Sequence, residues 1–68
     1  MTLTYDSETS CGYLKVSAHK VDKTVEVSER VVCDLDKEGM LCGIEFINVS
    51  QSELDSFVKP VNISEGVK

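Results

Sequence analysis

Arg30-Val31-Val32-Cys33-Asp34-Leu35-Asp36-Lys37-Glu38-Gly39-Met40-Leu41-Cys42-Gly43-Ile44-Glu45-Phe46-Ile47 decides the fold. Val31, Cys33 and Leu35 alternate with Val32 and Asp34; Met40, Cys42, Ile44 and Phe46 alternate with Leu41, Gly43 and Glu45. Alternation of period two is the signature of a strand with one buried face. Between the two runs lies Asp36-Lys37-Glu38-Gly39, where Gly39 suits a left-handed turn position because it has no Cβ to clash. The stretch reads as a β-hairpin. With Asp36 to Gly39 as the loop, Leu35 faces Met40, Cys33 faces Cys42, Val31 faces Ile44, and Arg30 pairs with Glu45. A three-residue loop puts Asp34 opposite Cys42 and Glu45 opposite Val31, mixing the faces, so the hydrophobic pattern selects the four-residue loop.

Upstream of the hairpin, Thr2 to Tyr5 is short, β-branched and aromatic, and reads as a first strand. Asp6-Ser7-Glu8-Thr9-Ser10 is a polar turn. Gly12 to Ser17 alternates, with Leu14 and Val16 on one side. Ala18 to Lys23 reads as a connection, and Lys23 to Ser28 alternates again with Val25 and Val27 inward. Downstream, Ser50-Gln51-Ser52-Glu53 has the form of a capping box, flanked by Val49 and Leu54 where a hydrophobic staple forms. Leu54, Phe57 and Val58 make one helical stripe, and Pro60 lies past the stop. A helix from Gln51 to about Lys59 follows, too short to persist in water unless it docks. The expected fold class is α+β: an antiparallel sheet of four to five strands with one short C-terminal helix on one face. Residues 1–60 are expected to form a single domain and 61–68 a loose tail, in which Val61 and Ile63 are placed to add a short edge segment.

A chain of 68 residues buries only about 60% of the surface it exposes when unfolded, so its stability is marginal. Self-association, a partner subunit, a metal or a disulfide would supply the missing margin, which is a first pointer to function. Twelve acids against seven Lys and Arg give a net charge of -5. That charge repels phosphate backbones and disfavours nucleic acid, while permitting a basic protein partner. The N-terminus, Met1 to Asp6, lacks a basic region followed by an apolar run, and no apolar stretch reaches membrane-helix length. A cytoplasmic location is expected, where the sequons Asn48-Val49-Ser50 and Asn62-Ile63-Ser64 carry no meaning.

Asp34, Asp36, Glu38, Gly39 and Glu45 fit the calcium-loop spacing, with Glu at the fifth position, but that loop needs a flanking helix on each side and here the flanks are strands. An acidic hairpin turn is the expectation. Cys11, Cys33 and Cys42 lack zinc or redox spacing. Cys33 and Cys42, facing each other across the hairpin, would sit about 4.5–5.5 Å apart at Cβ, against about 3.8 Å for a relaxed disulfide. Small reduced thiols are the expectation, with a metal or redox sensor through Cys33 and Cys42 as the alternative function. His19, the single histidine, lies in a polar connection and is expected to be solvent-exposed. No nucleophile has a supporting base, and no glycine loop cradles a phosphate, so no catalytic, cofactor or metal residue is assigned.

Two stretches resemble a small prokaryotic family, domain of unknown function 2283. Tyr5-Asp6-Ser7-Glu8-Thr9-Ser10-Cys11-Gly12-Tyr13-Leu14 is similar to its opening, and Val32 to Ile47 is similar to its Asp-x-Asp-Gly and Gly-Ile-Glu stretch, with Asn48-Val49-Ser50 at the exit into a helix. Ser10 stands where the family commonly has Asp, and Cys11-Gly12 replaces a small apolar pair. The resemblance implies a compact sheet-plus-helix domain with no assigned activity, and a partner-binding or antitoxin-like role. The function expected is a protein-interaction or self-assembly module, whose partner is itself or a small basic protein, and not an enzyme.

Overall fold

The computed structural model of the protein describes residues 1–57. Five strands, β1 (Thr2–Asp6), β2 (Cys11–Lys15), β3 (Lys23–Ser28), β4 (Val31–Leu35) and β5 (Leu41–Ile47), form one antiparallel sheet in the order β1-β2-β5-β4-β3. A helix, α1, covers residues 51–57. The α+β class expected from the sequence holds, with five strands. The expected helix end at Lys59, with Val58 and Pro60, and the tail 61–68 lie outside the described residues.

The central hairpin forms, in a different register. Val31 pairs with Phe46, Val32 with Glu45, Cys33 with Ile44 and Asp34 with Gly43; then the register shifts and Leu35 pairs with Leu41. Cys33 therefore does not face Cys42, and Val31 does not face Ile44. The turn itself is the cause. The Gly39 N–H donates to the Asp36 carbonyl (3.0 Å), the Asp36 N–H donates to the Met40 carbonyl (2.9 Å), and Gly39 adopts φ 83°. This is the three-residue loop Lys37–Gly39 with glycine in the left-handed position. Such a loop by itself mixes the faces, and the chain repairs the fault with a bulge at Cys42, whose extra residue restores the alternation from Gly43 onward. Met40, expected on the apolar face, is 63% exposed. Arg30 does not pair with Glu45 either: its guanidinium donates to the carbonyls of Ile47 and Asn48 and to Glu53.

Pairing across the sheet sets out the two faces. On one face run the rows Tyr5-Gly12-Phe46-Val31 and Leu3-Leu14-Ile44-Cys33-Val25. On the other run Thr4-Tyr13-Glu45-Val32-Glu26 and Thr2-Lys15-Gly43-Asp34-Thr24. The first face is apolar and the second mostly polar, as alternation requires. Helix α1 lies on the first row of the apolar face. Leu54, 1% exposed, fills the space a Cβ on Gly12 would occupy, and Phe57 stacks on Phe46 with ring centroids 5.6 Å apart.

The capping box closes as expected: the Glu53 N–H donates to Ser50 Oγ (3.1 Å) and the Ser50 N–H to Glu53 Oε1 (3.0 Å). The Tyr5 hydroxyl donates to the carbonyl of Val49 (2.7 Å), tying the helix entry to β1. Val49, 3% exposed, and Leu54 occupy the two staple positions and, with Cys42, are the buried apolar residues among those described. The core is small and divided: Val49 and Leu54 lie at the Ile47 end of β5, and Cys42 lies at its other end beside the turn.

Val25 and Val27, expected inward, are exposed at 39% and 63%. Their strand is at the sheet edge, and α1 packs on Gly12 of β2 and Phe46 of β5, with β4 between them and β3. A bulge between Glu26 and Ser28 twists the outer part of β3 away from regular pairing.

Candidate functional site

The sheet has two edges, β1 and β3. On β1, Leu3 and Tyr5 are half-buried, the latter anchored at α1. On β3 all six residues are exposed. An edge strand presents a row of backbone donors and acceptors with no partner in the sheet, and proteins usually blunt it with lysine, bulges or cover. Here Lys23 and the bulge after Glu26 do part of that, while Val25 remains open at the end of the apolar row. Of the two edges, β3 is the more exposed.

A second feature lies on the polar face. The Tyr13 hydroxyl donates to Asp34 Oδ2 (2.8 Å) and Thr24 Oγ1 donates to Asp34 Oδ1 (2.9 Å), so β2, β4 and β3 are linked above β5. The Tyr13 ring lies over Gly43, where any Cβ would collide with it. Asp34 raises the Tyr13 pKa from 10.0 to about 12, by accepting its proton in a hydrogen bond and, after the effect of burial, by its charge. A raised phenol pKa means that the contact stabilises the fold below pH 10 and is lost as pH climbs through about 12. In a tyrosinate absorbance titration Tyr13 is expected to ionise near pH 12, and Asp34→Ala is expected to bring it back toward 10. An unchanged titration in Asp34→Ala would remove the hydrogen bond from the account. The cluster is a brace: both carboxylate oxygens of Asp34 are taken by side chains of the sheet.

The third feature is the β4–β5 turn. Asp36, 5% exposed, accepts at Oδ1 from the N–H groups of Glu38 and Met40 (2.9 Å each), and its Oδ2 lies 3.1 Å from His19 Nδ1. His19 comes from the connection between β2 and β3 and keeps 69% of its side chain exposed, as the sequence suggested, but its pairing with Asp36 was not expected. Together they frame a cleft of about 480 Å³ lined by His19, Lys20, Val21, Asp22, Asp36, Lys37 and Glu38. Lys20 and Lys37 balance Asp22 and Glu38, and Asp36 is already saturated, so the cleft selects neither charge. The Met40 N–H above all, then His19 and the Glu38 N–H, hold the Asp36 carboxyl below its ordinary 3.8, against burial that pushes it up. Its contribution to stability is therefore whole above pH 3.8 and is lost as pH falls through the lower folded value. Asp36→Asn is expected to flatten the acid limb of the melting-temperature profile; an identical limb in both proteins would sink this assignment.

The remaining sequence candidates are dispersed. Asp34, Asp36 and Glu45 of the acidic stretch point to three different tasks: the polar-face brace, the turn, and a place in β5 between Val32 and Tyr13. Cys11, Cys33 and Cys42 are free thiols, with Cys33 opposite Ile44 and buried Cys42 at the bulge. Among the described residues no group of three or more His, Cys, Asp or Glu is arranged to hold a metal ion, and no helix is long and apolar enough to cross a membrane. Sequence reasoning missed the Tyr13–Asp34–Thr24 brace; the available signal was Gly43, since glycine inside a strand marks a close approach.

A family model described as Protein of unknown function (DUF2283) matches residues 2–50, which span the sheet and the entry to α1. No curated protein and no solved structure matches the chain.

Proposed function

We propose, from the premise that this chain belongs to the DUF2283 family of proteins of unknown function, that it is a protein-interaction module acting through the β3 edge. The observation that carries the reading is that all six residues of β3 are exposed, Val25 and Val27 among them. A strand edge offers main-chain hydrogen bonds to any extended segment, and alternate side chains give the choice of partner. The two polar constructions beside it, at Asp34 and Asp36, have their carboxylate oxygens occupied by the protein's own donors, which suits support better than chemistry. Three free thiols fit a reducing, cytoplasmic setting.

Cys33 pairs with Ile44 and not with Cys42, which supports the module reading over a metal or redox sensor resting on a facing Cys33–Cys42 pair. Val25→Lys tests the module reading. A lysine on an edge blocks strand addition, and at an exposed position it is expected to change folding stability by no more than about 0.5 kcal/mol. Assembly or capture by immobilised protein is expected to fall in Val25→Lys while melting stays in place. A wild-type chain that neither self-associates nor binds anything that Val25→Lys fails to bind defeats the reading.

A further inference from the structure

We infer that the β3 edge takes a second copy of this chain, paired antiparallel about a two-fold axis that sets Val25 opposite Val25 of the other copy. This rests on the interaction-module reading and names its partner. A two-fold axis normal to the sheet keeps apolar face with apolar face, so each residue must lie opposite one of its own parity. Few registers remain, and charge decides among them. Centring on Lys23 or on Glu26 sets two like charges face to face, and centring on Thr24 sets Asp22 against Glu26. Centring on Val27 puts the axis on the bulged residue, outside the regular ladder. Centring on Val25 sets Glu26 opposite Thr24 on either side of the axis, with no like pair.

Two further observations agree. In this register the apolar row Leu3-Leu14-Ile44-Cys33-Val25 continues across the seam into the same row of the second copy, and the exposure of Val25 is removed. The strand Lys23–Ser28 carries one Lys and one Glu, so the edge itself has no excess charge to attract a basic stranger, and in the Val25 register it meets itself without a like-charge pair. The bulge after Glu26 stops the pairing there and leaves a short, closed seam in place of an open fibre.

Salt separates self-pairing from a basic partner. Two copies of net charge -5 repel, so added salt is expected to tighten a self-pair, while a pair with a basic protein loosens. The experiment is sedimentation of the wild-type chain across concentration and salt, with oxidative cross-linking of Val25→Cys and Thr24→Cys. Expected are a species at twice the 7.5 kDa chain mass that strengthens with salt, and a disulfide-linked dimer formed about tenfold more readily by Val25→Cys than by Thr24→Cys or the wild type, because directly opposed residues approach most closely. Equal cross-linking of Val25→Cys and Thr24→Cys overturns the register. A strict monomer that binds another protein in a Val25-dependent way overturns self-pairing and leaves the module reading standing; a strict monomer that binds nothing removes both. Slow amide exchange along β3 in a strict monomer assigns the edge to residues 58–68 of the same chain and also overturns the inference.

Discussion

Leu54→Ala is expected to cost about 3 kcal/mol of folding stability, read by urea unfolding followed by circular dichroism. Leu54 is 1% exposed and packs against β2 where Gly12 has no side chain, so truncation leaves a cavity that neither backbone can close. The described core has only Cys42 and Val49 besides Leu54 in full burial. In a domain whose total stability is expected near the lower end of about 5–15 kcal/mol, such a loss unfolds a large share of molecules. The helix is short and held by its docking, so its signal should fade together with the sheet. Leu54→Met, close in volume, is expected to cost less than about 1.5 kcal/mol. A loss below about 1 kcal/mol for the alanine variant would mean that α1 contributes little, contrary to the packing described.

Gly43→Ala is the second large effect, expected at about 2 kcal/mol. The new Cβ falls on the Tyr13 ring, which must swing away, and its hydroxyl then leaves Asp34. The cost is two-fold: misfit at the centre of the sheet and a broken hydrogen bond. A double-mutant cycle isolates the cause. In a Tyr13→Ala background the Gly43→Ala cost is expected to shrink by more than half, because the obstructing ring is gone. The tyrosinate titration adds an independent readout: Tyr13 in Gly43→Ala is expected to ionise below about 12. Additive costs in the cycle would show that Gly43 is needed for some reason other than the ring.

Much of this architecture was legible in the chain, because it is local. Ser50 and Glu53 are three residues apart and satisfy each other's backbone groups whatever the rest of the protein does. Gly39 takes its positive φ from the turn around it. The alternation of Val31, Cys33, Ile44 and Phe46 marks strands and assigns one common face, and Cys33 does pair with Ile44 on it. The resemblance in residues 5–14 and 32–47 likewise corresponds to the family match over residues 2–50.

Register was not legible, and the reason is general. A pattern of period two detects a slip of one residue but not of two, and a bulge cancels a slip of one altogether. By the period-two pattern alone a three-residue loop mixes the faces; Cys42 supplies the missing residue. The sites that depend on distant parts of the chain were hidden for a related reason. Tyr13 and Asp34 stand 21 positions apart, and His19 and Asp36 stand 17 apart. No local rule joins them before strand order brings β2 and β4 to either side of β5. Sequence by itself determined where strands and helix lie and which face is apolar, since those follow from neighbouring residues and the pleat. Only the tertiary structure decided which carboxylates are spent on the protein's own amides and hydroxyls, and that β3 is an edge strand among the described residues: strand order and register are set by contacts between segments, and those contacts have no periodicity to read.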